Sequence, residues 1–199
     1  MIDLPLMTYV ATMSVTPGPN NLMLAASGVN FGFRRTLPHM LGVSIGNGIQ
    51  VAIVASALAW VMVWLDHLRL ELVLVGCAYL LWLAWRQFRA GQPGAGKSVQ
   101  PLGFIGAALF QWVNPKAWMM VLNAAILFLP RGGGWHAVLS LALFSAVINL
   151  PCIALWAAMG DRMRFLLRDP RGLWVFNAIM ASLLALTAVW IMVDELLLR

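Results

Sequence analysis

Charged residues are scarce in this chain. Asp, Glu, Lys and Arg make up 10% of its 199 residues, while 62% are hydrophobic. A soluble domain carries about a quarter charged residues. The shortage therefore excludes an ordinary soluble fold and indicates an all-α integral membrane protein. Acids are scarcer than bases, with seven Asp and Glu against thirteen Lys and Arg. The basic excess does not imply a nucleic-acid partner, because the bases are dispersed between apolar runs as the positive-inside rule places them. No tract of linker composition is long enough to separate soluble domains, so residues 1–199 are expected to form a single membrane domain.

Other absences narrow the chemistry. The start, Met1-Ile2-Asp3-Leu4, lacks the basic segment of a signal peptide, so the first apolar run is expected to stay as a helix. Cys77 and Cys152 both fall inside apolar runs and read as small buried side chains rather than a disulfide framework. His39, His67 and His136 are isolated, so no metal site is expected. The string Gly91 to Ser98 has the spacing of a phosphate loop, but no strand precedes it. Between two membrane helices it is not expected to bind nucleotide. No cofactor is expected.

What is present is a set of six apolar runs at or near spanning length: about 4–29, 40–64, 68–88, 102–129, 135–159 and 173–193. Arg34, Arg35, Arg86, Arg89, Lys97, Arg162, Arg164, Arg168 and Arg171 fall in alternate connections; Arg69, Arg131 and Arg199 fall in the others. The richer side should face the cytoplasm, with both termini on the opposite side. Trp60, Trp64, Trp82, Trp85, Trp135, Trp156, Trp174 and Trp190 lie near run ends, where indoles anchor at the headgroups. Trp112 and Trp118 do not. They are either bulky side chains facing lipid or packed neighbours, or the walls of a cavity.

Two runs are interrupted. The first breaks at Thr16-Pro17-Gly18-Pro19-Asn20-Asn21 and the fourth at Gln111-Trp112-Val113-Asn114-Pro115-Lys116. Pro17 and Pro19 lack N–H groups and clash with the preceding turn, and Gly18 relaxes the backbone. The helix should restart with Asn20 or Asn21 near its N-cap. In the fourth run Asn114 suits the N-cap and Pro115 the first turn. Each restart leaves N–H groups suited to a carboxylate, and each upstream end, near Thr16 and near Trp112, leaves free carbonyls suited to an ammonium. A lysine at membrane mid-depth costs about 2.5–3.5 kcal/mol even on lenient scales. No acid lies deep in any run, so Lys116 must meet a substrate anion or give up its proton. The alternative, snorkelling to the headgroups, asks too much of its stem.

A shift of about 95 residues lays Pro115 on Pro19, Lys116 on Asn20 and Met119 on Met23. Repeat one, about 1–90, and repeat two, about 102–199, flank the loop-like tract 91–101. Three helices per repeat is an odd number, so the second copy must insert upside down, and the paired interruptions mark the binding site. Candidate substrate-binding residues are Thr16, Pro17, Gly18, Pro19, Asn20, Asn21, Asn47, Gln111, Asn114, Pro115 and Lys116. Gln50, Asn123, Asn149 and Asn177 are candidates of lower rank, each of which could simply be interhelical glue. Gly28 with Gly32, and Gly42 with Gly46, have the spacing of close helix packing.

Thr16-Pro17-Gly18-Pro19-Asn20, the Gly32-Phe33-Arg34-Arg35 loop, Leu41-Gly42 and Gln111-x2-Asn114-Pro115-Lys116 together resemble the LysE/RhtB family of amino-acid exporters over the whole chain. Asn30 to Val43 is similar to its branch exporting cysteine and O-acetylserine. The resemblance implies a transporter rather than an enzyme, in a bacterial inner membrane, moving a small zwitterion out of the cytoplasm with a proton as coupling ion. It leaves room for a homo-oligomer. An inorganic-ion exporter would want deep carboxylates or histidines, and a thiol-disulfide carrier would want cysteines in the interrupted runs. Neither pattern is present.

Overall fold

The computed structural model describes residues 4–90, 101–130, 134–167 and 169–197, and at 59–67, 69, 90, 166 and 197 the backbone alone. The Gly-Lys-Ser tract, Lys97, Arg131, Arg168, Arg199 and the side chains of Trp60, Trp64, Asp66, His67 and Arg69 lie outside the described residues.

Among these residues the chain forms eight helices: α1 (Leu4–Val15), α2 (Pro19–Phe31), α3 (Phe33–Ser56), α4 (Leu58–Ala90), α5 (Phe104–Phe110), α6 (Pro115–Phe128), α7 (Trp135–Leu166) and α8 (Pro170–Leu197). Four contain stretches long and apolar enough to cross a membrane: Phe33–Ser56, Leu70–Arg89, Trp135–Phe165 and Pro170–Leu196. At 12 and 14 residues, α1 and α6 are too short to do so alone, since a span takes ~20 residues. Both expected interruptions appear, at 16–18 and 111–114.

The connection between the second and third runs differs from expectation. The charged segment around Asp66 was expected to separate them, but α4 runs through it, and the break falls at Ala57. Charged residues lower helix propensity by only a few tenths of a kcal/mol each, and no Pro or Gly stands there to stop the helix. Nothing in the sequence marks Ala57.

At the centre α3 packs against α7. Helices α1 and α2 lie on α7, α5 and α6 lie on α3, and α4 pairs with α8 to one side. The outer surface is apolar: Ile45, Ile49 and Ile53 on α3, Leu139, Leu143 and Val147 on α7, and Ile179, Leu183, Leu186 and Trp190 on α8 are all exposed. Polar side chains do the opposite. Ser14, Asn21, Asn47, Gln50, Gln111, Asn114 and Asn149 are buried. This inversion suits a protein whose solvent is hydrocarbon.

The two central seams are tight because glycine permits it. A Cβ at Gly28 would lie 2.2 Å from the Ala157 carbonyl oxygen, and one at Gly160 would lie 2.1 Å from that of Ala25. Gly42 and Gly46 meet α5 in the same way. Gly32, expected as the partner of Gly28 in packing, instead turns the chain between α2 and α3 at φ 84°. Gly160→Ala should force α7 off α2 and lower stability by about 1–3 kcal/mol, read as a lower Tm in detergent. Gly172→Ala, where the new methyl meets only Leu167 Cδ2 at 3.6 Å, should leave the Tm unchanged or raised.

Candidate functional site

The break after α1 is dictated by two missing donors. Pro17 and Pro19 have no N–H, so the last carbonyls of α1 lose their helical partners. Side chains replace them. Asn21 Nδ2 donates to the carbonyls of Ser14 and Thr16, each at 2.8 Å. Trp156 Nε1 donates to that of Val15 at 3.0 Å. Lys116 Nζ donates to the Thr16 carbonyl and, at 3.2 Å, to that of Pro17.

The chain restarts two or three residues earlier than expected. Gly18 is the N-cap of α2 and makes no side-chain cap, and Pro19 occupies the first turn. Asn20 and Asn21 are thereby freed for other work. Asn20 Nδ2 reaches across to Gln111 Oε1 at 2.9 Å, which ties the first break to the second. There, Gln111, Trp112 and Val113 bond to Ala108, Leu109 and Phe110 in a tighter turn. Asn114 then caps α6 by accepting from the Lys116 N–H at 3.1 Å, with Pro115 in the first turn.

Two expectations about free carbonyls need correcting. The carbonyl of Thr16 was expected to await a substrate ammonium, but Lys116 occupies it. That of Trp112 accepts from Trp118 Nε1 at 2.8 Å. Lys116, expected to lack a partner in the protein, finds one in the negative end of α1. Trp112 and Trp118 meet edge to face with centroids 6.0 Å apart, and Trp118 lines a cavity.

The two breaks enclose a cavity of about 30 Å³. Of the candidate residues, Gly18, Asn20, Asn21, Asn47, Gln111, Asn114 and Lys116 line it. Thr16 contributes through its carbonyl bond to Lys116. Pro17, Pro19 and Pro115 face instead a second, largely apolar cavity of about 810 Å³ among α2, α4, α6 and α8. Gly18, Asn114 and Lys116 border both cavities and form the partition between them.

Sequence reasoning missed Ser14 and ranked Asn149 too low. Both line the central cavity, where Asn149 Nδ2 donates to Ser14 Oγ at 2.8 Å. The available signal was weak: a serine two residues before the break, and an asparagine two before Pro151. The amide oxygens of Asn149 and Asn47 are buried and accept no hydrogen bond. Two acceptors therefore stand unused within a cavity that also holds a lysine. Asn123 is exposed, and Asn177 belongs to a separate cluster with Asn30 and Gln87.

Cys77, on the wall of the wide cavity, is buried with its Sγ 3.3 Å from the Ala188 carbonyl; Cys152 is half-buried, and both are free thiols. Among the described residues no three His, Cys, Asp or Glu side chains gather as metal ligands.

Residues 11–195 match the family model for the LysE type translocator. The chain belongs to the LysE-type translocator family. Its relatives in this family of translocators, rather than enzymes, include proteins named cysteine/O-acetylserine efflux protein. One from Klebsiella pneumoniae is 36% identical, over 94% of this chain and 95% of its own. One from Salmonella typhi is 31% identical over 77% and 79%. One from Escherichia coli K12 is 29% identical over 92% and 93%. No solved structure matches this translocator.

The contact between the breaks can be perturbed through Gly18, whose backbone is extended at φ −176° and so admits any residue. A methyl there would sit 2.6 Å from Lys116 Cδ, the middle of a flexible side chain. Gly18→Ala should thus dislodge Lys116 from the Thr16 and Pro17 carbonyls while the fold survives. Acylation of Lys116 by a water-soluble amine reagent, followed by mass spectrometry, should rise severalfold with the Tm nearly unchanged.

Proposed function

We propose that this protein is a multi-pass bacterial inner-membrane exporter of small zwitterionic amino acids of the cysteine and O-acetylserine class. The observation that carries the reading is the central cavity, lined by Lys116 and by Asn47 and Asn149, whose buried amide oxygens accept no hydrogen bond. The substrate carboxylate meets Lys116 and the first-turn N–H groups of α2 at Asn20 and Asn21. Its ammonium meets the Asn47 and Asn149 oxygens. A site with a cationic lip and a neutral accepting lip orients a zwitterion. The names of the relatives support this substrate class.

The remaining details of the reading have their own supports. Pairing α1–α2 and α5–α6 each as one interrupted span gives six spans in two inverted three-helix repeats. The neighbours agree with a two-fold exchange, because α3 meets α7, α4 meets α8, and each interrupted pair lies on the second helix of the other half. The basic residues at the α2–α3 link and at the ends of α4 and α7 share one end of the bundle, which would face the cytoplasm and leave both termini outside. A cavity of 30 Å³ holds about two waters, less than an amino acid, so binding requires the helices to part. Lys116, as the partition, is the moving gate toward the wide cavity. It also carries the coupling proton, since among the described residues no carboxylate lines the central cavity.

Proteoliposomes loaded with radiolabelled cysteine or O-acetylserine test this reading. The protein should release both faster than protein-free vesicles, and an imposed proton gradient should drive the release. Lys116→Met should slow it by about tenfold or more, as loss of a charge-assisted contact worth at least 1.4 kcal/mol requires. Full gradient-driven efflux by Lys116→Met would remove Lys116 from the mechanism.

A further inference from the structure

A third cavity, of about 50 Å³, lies at the basic end of the bundle, between the last turns of α2, the first turns of α3 and the end of α4. One of its walls is His39, which is 1% exposed and whose two ring nitrogens both lack a hydrogen-bond partner. A buried polar group left without a partner costs about 1–3 kcal/mol and needs an explanation. Packing does not provide one, because an apolar side chain would fill the same place without that cost.

The other polar groups in the cavity make a consistent set. Arg86 also lines it, with its guanidinium 4.9 Å from the centroid of the Trp82 ring. Ser27 Oγ pairs with Thr36 Oγ1 at 2.8 Å. Thr36 donates its own hydroxyl hydrogen to the Gly32 carbonyl at 2.9 Å, so Ser27 must be the donor in the pair and keeps only lone pairs for anything else. The cavity thus offers a cation, an imidazole N–H and a hydroxyl acceptor. Those groups suit a carboxylate and an ammonium held on neighbouring atoms.

We infer that this cavity is an entry subsite, which takes the head group of an α-amino acid from the basic side before it moves to the central cavity. The carboxylate lies on Arg86 and His39, and the ammonium on Ser27. The route onward follows one face of α3. Asn47, on the central cavity, lies eight residues and two turns beyond His39, about 12 Å along the helix axis, with Val43 between them on the same face.

The inference rests on the export reading, and one experiment separates the two. Efflux from proteoliposomes is measured against the concentration of cysteine on the side of the basic end, for wild type, His39→Leu, His39→Gln and Arg86→Gln. His39→Leu and Arg86→Gln should raise KM about tenfold, the loss of one hydrogen bond to a charged group, with Vmax within about twofold by the same arithmetic. His39→Gln, which keeps an N–H, should restore most of the wild-type KM. A wild-type KM in His39→Leu and Arg86→Gln, or a fall in Vmax alone, would overturn the subsite and leave export standing. If His39→Leu does not fold, the KM of Arg86→Gln decides. A wild-type protein that releases no amino acid would overturn the export reading and the subsite with it.

Discussion

The structure depends on one constraint. A chain surrounded by hydrocarbon must satisfy its own backbone polar groups, and the ordinary solution is an unbroken helix. Pro17 and Pro19 forbid that solution in the first apolar run, and Pro115, which ends a turn at Asn114, marks a second departure in the fourth. Each break exposes backbone groups that must be met by something else. The end of α1 is met by Lys116 from the opposite break, by Asn21 from its own and by Trp156 of α7. The Trp112 carbonyl is met by Trp118, and a side-chain bond from Asn20 to Gln111 joins the two breaks. Lys116 and the Asn20–Gln111 pair therefore tie the two interruptions to each other.

That mutual satisfaction is incomplete in a specific way. Backbone carbonyls at the end of α1 are taken, yet the amide oxygens of Asn47 and Asn149 are not. An all-satisfied centre would be a structural plug. On the export reading proposed above, the held lysine and the two unused acceptors receive the two charges of a zwitterion. The glycine seams on either side of α7 and α3 allow backbones to approach closely enough to seal this region from lipid. The wide cavity meets the central one at Gly18, Asn114 and Lys116, and the small one beside His39 lies two turns from Asn47 along α3.

Much of this was legible in the sequence because it depends on covalent rules. The Pro-Gly-Pro and Asn-Pro steps break their runs, whereas the single Pro38 and Pro151 stay inside α3 and α7. The breaks read at 16–21 and 111–116 fall at 16–18 and 111–114. Asn114 caps α6 because its side chain needs only local geometry to do so. What failed depended on tertiary partners. Carbonyls read as free at Thr16 and Trp112 are occupied by Lys116 and Trp118, from another helix and from the next one. Asn20 and Asn21, read as caps, became cross-links because Gly18 began the helix first. Ser14 gave almost no sign, since a single serine in an apolar helix ordinarily bonds its own backbone. The break at Ala57 has no local signature at all.

The most direct measurement is a structure of the protein with cysteine or O-acetylserine bound. The account predicts the carboxylate within hydrogen-bond distance of Lys116 and the start of α2, the ammonium on the Asn47 and Asn149 oxygens, and a central cavity enlarged to hold the molecule. A ligand seated in the wide cavity among α4, α6 and α8, with Asn47 and Asn149 still unpartnered, would contradict it.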